Sequence, residues 1–115
     1  MATFQVKIND HDEYYFNLVS DQEDLILRSE SYSTKSACLH GIESVQSNAD
    51  DEARYERMVA EDGQFYFNLK GKNGEIIGIS NLDDTETLGD QAIENLKVLA
   101  TAGEIKNIVE SEEDF

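Results

Sequence analysis

Cys38 and His40 are the one thiol and one of the two imidazoles in the chain, and their closeness in sequence raises nucleophile and base chemistry. Side chains two positions apart on a helix point about 200° apart, so a helical segment keeps the pair from meeting. Cys38 falls on an apolar stripe and reads as a small core hydrophobe. His11 stands in the acidic turn Asp10-His11-Asp12-Glu13, which could hold a metal ion loosely. No second histidine is near it and no Asp-x-Asp-x-Asp-Gly loop is present, so a hydrated turn is expected. Carboxylates are so abundant that any two can be paired on paper for acid and base work, which empties that signal of meaning. The sequence has no phosphate-binding glycine loop, no Gly-x-Ser-x-Gly elbow and no two-histidine zinc helix. Tyr15, Asn17, Tyr66 and Asn68 remain, aromatic rings that stack and amides that hydrogen-bond. They are the candidate ligand-binding residues; no catalytic residue, metal or cofactor is expected.

Those four belong to a duplication. Tyr15-Phe16-Asn17-Leu18 returns as Tyr66-Phe67-Asn68-Leu69, 51 positions later, and the offset holds without a gap from Phe4 to about Ala100. Ile26 meets Ile77, Ser29 meets Ser80, Thr34 meets Thr85, and Ile42-Glu43 meets Ile93-Glu94. Self-similarity at a fixed period marks a repeat architecture. A lone unit of about fifty residues buries too little surface to be comfortably stable, so the halves should share one core. The expected organisation is a single domain, 1–115, made of repeat 1 (3–50), repeat 2 (54–103) and an acidic C-terminal tail (104–115).

Composition narrows the function. Hydrophobic residues make up 39% and charged residues 30%, a globular balance. Acidic residues number 25 against 9 basic, a formal net charge of −16. Such a field repels phosphate backbones and anionic lipid, so neither nucleic acid nor a membrane is an expected partner, and a basic protein surface suits it better. No apolar run approaches the roughly 20 residues needed to span a bilayer, and the N-terminus reads as a strand rather than a signal peptide. With one cysteine and no disulfide, a reducing cytoplasmic setting is expected.

Along the chain, Phe4, Val6 and Ile8 alternate with polar residues, giving a first strand from Thr3 to Ile8. Tyr14, Phe16 and Leu18 continue the alternation after a polar turn, and Leu25 to Ser29 forms a third strand. Cys38, Gly41, Ile42, Val45 and Ala49 then recur at helical spacing, predicting a helix over Thr34 to Ser47 with Ser33 as N-cap. Gly41 in mid-helix implies a close approach of the helix to the sheet. Repeat 2 follows the same plan: strands over Tyr55 to Ala60, Phe65 to Leu69 and Glu75 to Ser80, and a helix capped by Asp84 and stopped by Gly103. Asn73-Gly74 predicts a tight hairpin with positive φ at both residues. Ile105, Ile108 and Val109 form a short apolar patch before the acidic end, whose last residues are expected to be disordered.

Each repeat thus reads strand, strand, strand, helix. The fold class is α+β, two tandem βββα repeats around a pseudo-twofold axis, with two helices packed against an antiparallel sheet. The stretch Ser29-Glu30-Ser31-Tyr32-Ser33-Thr34-Lys35, together with Gly41-Ile42-Glu43-Ser44-Val45 and Asn73-Gly74-Glu75, resembles the YegP-like family of small bacterial proteins. The resemblance covers almost the whole chain and implies a tandem domain in which strands of the two repeats interleave. It carries no reaction and no catalytic residues. His40 departs from the usual asparagine, and Tyr15, Asn17, Tyr66 and Asn68 stand where the family commonly has arginine or lysine.

The expected function is that of a non-enzymatic interaction or accessory domain, a monomer with an internal pseudo-dimer, using a protein partner. The alternative is a small-ligand binder or minor enzyme using the exposed sheet face or the groove between repeats. A third idea is an acidic mimic that occupies a basic surface, which requires carboxylates gathered on one face.

Overall fold

The computed structural model describes residues 1–110. Three hairpin strands open each half: β1 (Thr3–Ile8), β2 (Tyr14–Val19) and β3 (Leu25–Arg28), then β4 (Tyr55–Val59), β5 (Phe65–Lys70) and β6 (Ile76–Ile79). Helix α1 (Lys35–Asn48) closes the first half and α2 (Glu86–Thr101) the second, and a final strand β7 (Asn107–Glu110) follows. All seven strands form one sheet in the order β4-β5-β6-β3-β2-β1-β7. The α+β class and the tandem βββα plan are therefore as the alternation predicts.

The interleaving implied by the resemblance is corrected: the repeats lie side by side and meet at one antiparallel bridge, Arg28 opposite Ile79. A second correction concerns the C-terminal stretch. Ile105 is buried in the core and Asn107–Glu110 pairs parallel to β1, so the sheet gains one parallel edge strand where a tail was expected. The acids beyond Glu110, and the disorder expected of them, lie outside the described residues.

Phe4, Val6, Phe16, Leu18 and Leu27 from repeat 1 and Phe67, Leu69, Ile77, Ile93 and Leu96 from repeat 2 belong to one buried cluster. Helix α1 also contacts β5 and β6 of the other half, so neither repeat encloses its own apolar face. The recurring serine has a structural cause. Ser29 Oγ accepts from the Phe16 amide at 2.9 Å and donates to the Glu30 carbonyl at 2.8 Å. Ser80 does the same with Phe67 and Asn81, both at 2.9 Å, so one hydroxyl per repeat satisfies buried backbone where the third strand ends.

Both helix caps lie one residue later than expected. Thr34 Oγ1 accepts from the Ala37 amide at 3.0 Å and Thr85 Oγ1 from the Leu88 amide at 3.1 Å, which displaces Ser33 and Asp84 from that role. Gly103, at φ 73°, closes α2 as predicted: the Glu104 amide donates to the Leu99 carbonyl at 2.8 Å. Only Gly74 of the Asn73-Gly74 pair has positive φ, at 85°. The loop is one residue longer than a two-residue turn, so Asn73 keeps negative φ and its Oδ1 accepts from the Glu75 amide at 3.1 Å. Gly41 meets the predicted close approach, since a Cβ there would lie 2.8 Å from Tyr32 Cζ.

Candidate functional site

Strand pleating decides what the sheet offers. Phe16, Leu18, Phe67 and Leu69 point to the helices, so Tyr15, Asn17, Tyr66 and Asn68 project from the opposite face. Cross-strand register extends this face into a row running Glu56, Asn68, Ile79, Arg28, Asn17, Gln5 and Val109. Lys7 pairs with Tyr15 and Met58 with Tyr66 on either side of it.

The four candidate residues do not converge. Asn17 and Asn68 are three strand spacings apart, about 14 Å. Strands β2 and β5 run antiparallel to each other, so Tyr15 and Tyr66 leave the row in opposite directions and lie about 20 Å apart. They form two tyrosine-asparagine pairs related by the pseudo-twofold axis. The pairs also differ. Asn68 is only 6% exposed and its Nδ2 donates to Glu56 Oε1 at 3.1 Å, whereas Asn17 is half-buried. That hydrogen bond, with the Lys70 ammonium beside it, holds the Glu56 carboxyl below the usual carboxylate range.

Charge is distributed unevenly over the molecule. The open face carries Lys7, Arg28 and Lys70, with Glu56 as the acid paired to Lys70. Carboxylates occupy all four hairpin turns and the outward sides of both helices. They surround the molecule rather than gathering on one face. Lys7 and Arg28 are the sheet-face residues that sequence reading missed; the period-two pattern that placed Tyr15 and Asn17 outward also places Lys7 outward.

The remaining candidates stand apart. Cys38 is fully buried, and burial pushes its thiol up to about 11. His40 is exposed on the other side of α1, and His11 is exposed in the first turn. Among the described residues no three His, Cys, Asp or Glu side chains are placed to hold a metal ion, and no helix is long and apolar enough to cross a membrane.

One concavity lies at the outer end of the sheet. A crevice of about 140 Å³ lies between β4, β5 and the start of α2, lined by Val59, Phe65, Phe67, Gly89 and Ile93, with Arg57, Glu86 and Asp90 also bordering it. Repeat 1 has Cys38 and Leu39 where repeat 2 has Gly89 and Asp90, so the smaller and more polar residues accompany the opening. Arg57 is held by Asp90 at 2.8 Å and Glu52 at 2.9 Å.

The two halves also match a known domain twice. The family described as "Domain of unknown function (DUF1508)" matches residues 9–56 and 60–107. The chain belongs to the DUF1508 family. Its two matches are themselves 51 positions apart, the same period as the duplication. Among curated DUF1508-like relatives, the chain is 41% identical over 96 residues to a UPF0339 protein encoded in the ptx operon 5′ region of Stutzerimonas stutzeri, covering 84% of this chain and 86% of that one. It is 36% identical over 104 residues to the UPF0339 protein YegP of Escherichia coli K12, covering 90% and 94%. The solution structure of E. coli yegP, described as a protein of unknown function, superposes with a TM-score of 0.87 at 32% identity, covering 98% of this chain and 96% of that one. A UPF0339 protein of Shewanella oneidensis superposes at 0.84 with 34% identity, covering 95% and 90%. The YegP-like resemblance and the tandem architecture stand on these matches.

Proposed function

We propose that this DUF1508 protein is a non-enzymatic binding module of the cytoplasm, a monomer that engages a protein partner through the uncovered face of its sheet. The observation that carries the reading is that both helices cover one face of the seven-stranded sheet while the other holds Tyr15, Tyr66, Asn17 and Arg28 outward with little opposing acid. Tyrosine and arginine are enriched among the few residues that carry most of the binding energy in protein interfaces. The net charge of −16 favours approach of a basic partner from a distance, and because the sheet face itself carries Lys7, Arg28 and Lys70 the short-range contacts there come from its tyrosines and amides rather than from charge pairing. Acids spread over turns and helices do not form the single dense face that a polyanion mimic needs.

A photo-crosslinking amino acid placed at Tyr15 or at Tyr66 tests the reading, with the same group at exposed Val98 on α2 as reference. Capture of the same protein from both sheet positions and not from Val98 supports it. Capture from Val98 alone, or from none of the three, contradicts it. The second reading, a small-ligand binder, draws on the 140 Å³ crevice beside α2.

A further inference from the structure

The two ends of the sheet are not equivalent. At one end β7 lies parallel to β1, with Asn107, Ile108, Val109 and Glu110 opposite Thr3, Phe4, Gln5 and Val6. Glu110 forms an ion pair with Lys35, in the first turn of α1. The pseudo-twofold axis carries β1 onto β4 and α1 onto α2, so the place corresponding to β7 lies along the outer edge of β4. Among the described residues nothing pairs there: β4 is the last strand of the sheet and Val59 is 61% exposed.

The chemistry of that vacant place is inverted. Glu86 stands where Lys35 stands in repeat 1, and it is exposed. Asp90 replaces Leu39, and Arg57 replaces Val6. Arg57 is already engaged by Asp90 and Glu52, and Lys97 pairs with Glu52 as well, so among the described residues Glu86 is the carboxylate beside the strand slot with no ion-pair partner. Next to them opens the crevice lined by Val59, Phe65, Gly89 and Ile93. An aliphatic stem ending in a cation fits such a place, with the stem along the apolar lining and the head among the carboxylates.

We infer that the β4 edge is a strand-addition site for an extended segment of a protein partner, paired parallel to β4 and carrying an apolar residue two positions before a lysine or arginine. The pattern is that of Ile108 and Glu110 with the sign of the second residue reversed. Backbone pairing supplies the attraction, and alternate side chains supply the selection. A second copy of this chain is a poor occupant, because its β7 presents Glu110 to Glu86 and Asp90. Such a site serves the binding-module reading but uses a different surface from the open sheet face.

Two end-capped peptides test the site by amide NMR titration of the intact labelled protein: Lys-Asn-Ile-Val-Lys, and Lys-Asn-Ile-Val-Glu, which copies 106–110. The expected result is perturbation of the Tyr55 to Arg57 amides, the stretch of β4 that corresponds to the part of β1 beside Ile108–Glu110, by the lysine-ended peptide, with the glutamate-ended one about fivefold weaker. Glu86→Lys should reverse that order, and Glu86→Gln should level it. Equal affinity of both peptides, displacement of β7 from β1, or sedimentation showing self-association through β4 would each overturn the proposal. Shifts confined to Tyr15, Asn17, Tyr66 and Asn68 would overturn it too, while leaving the sheet-face reading intact.

Discussion

Leu27 and Gly78 occupy the same position in the two repeats and face each other across the seam, and the leucine fills the space that the glycine leaves. A Cβ on Gly78 would lie 2.6 Å from Leu27 Cγ. Strict twofold symmetry is therefore impossible here: two leucines collide, and two glycines leave a void beneath α1. Leu27 is fully buried, so the clash has nowhere to relax cheaply. Gly78→Ala should cost about 1–3 kcal/mol and Leu27→Ala about 2–5 kcal/mol in urea unfolding. The exchanged pair Leu27→Gly with Gly78→Leu should recover much of the loss, because it restores the same volume from the other side. A neutral Gly78→Ala would contradict this packing.

The four hairpin turns close in one way, with a left-handed residue at the end of each: Asp12 at φ 60°, Glu23 at 65°, Gly63 at 87° and Gly74 at 85°. Repeat 1 thus holds side chains where repeat 2 holds glycine. A left-handed conformation costs a residue with a Cβ roughly 1–2 kcal/mol. Asp12→Gly and Glu23→Gly should each raise stability by up to about 1 kcal/mol, the remainder being offset by added freedom of the unfolded chain. Gly63→Ala and Gly74→Ala should lower it. Thermal unfolding of the four variants checks the sign at each turn.

How far the sequence discloses this fold depends on where the information sits. Alternation at Phe4, Val6, Phe16 and Leu18 is local, and it marks the strands because one sheet face is buried. The caps were missed by one residue, at Ser33 and Asp84, although Thr34 and Thr85 are one of the repeated identities and it is their hydroxyls that reach the third helical amide. Other features are not local. The neighbour of β3 is settled by how Leu27 fits Gly78, and β7 is a strand only because β1 offers it an edge. The four candidate site residues were placed on the right face, but their separation follows from strand order, which alternation does not encode.

Acid titration has a predictable sign. The Lys97 ammonium, at 2.8 Å, and the Arg57 guanidinium, at 2.9 Å, hold the Glu52 carboxyl below its ordinary value. A folded-state pKa below the unfolded one stabilises the protein above the unfolded pKa of about 4.3, and that contribution is lost as pH falls through the folded value. Glu52 is 52% exposed, so solvent screens the effect. Glu52→Gln should lower stability modestly at neutral pH, and its deficit should vanish once the wild-type carboxyl is protonated. A deficit that persists unchanged in acid would contradict the assignment.

Either repeat becomes stable only by packing on the other, since α1 lies over β5 and β6 as well as β2 and one cluster draws on both halves. The most direct test is the amide NMR spectrum of residues 1–52 alone, at dilute concentration. The account predicts a collapsed, poorly dispersed spectrum that becomes native-like on adding the complementary fragment. A dispersed spectrum from a folded monomer of that fragment by itself would contradict it.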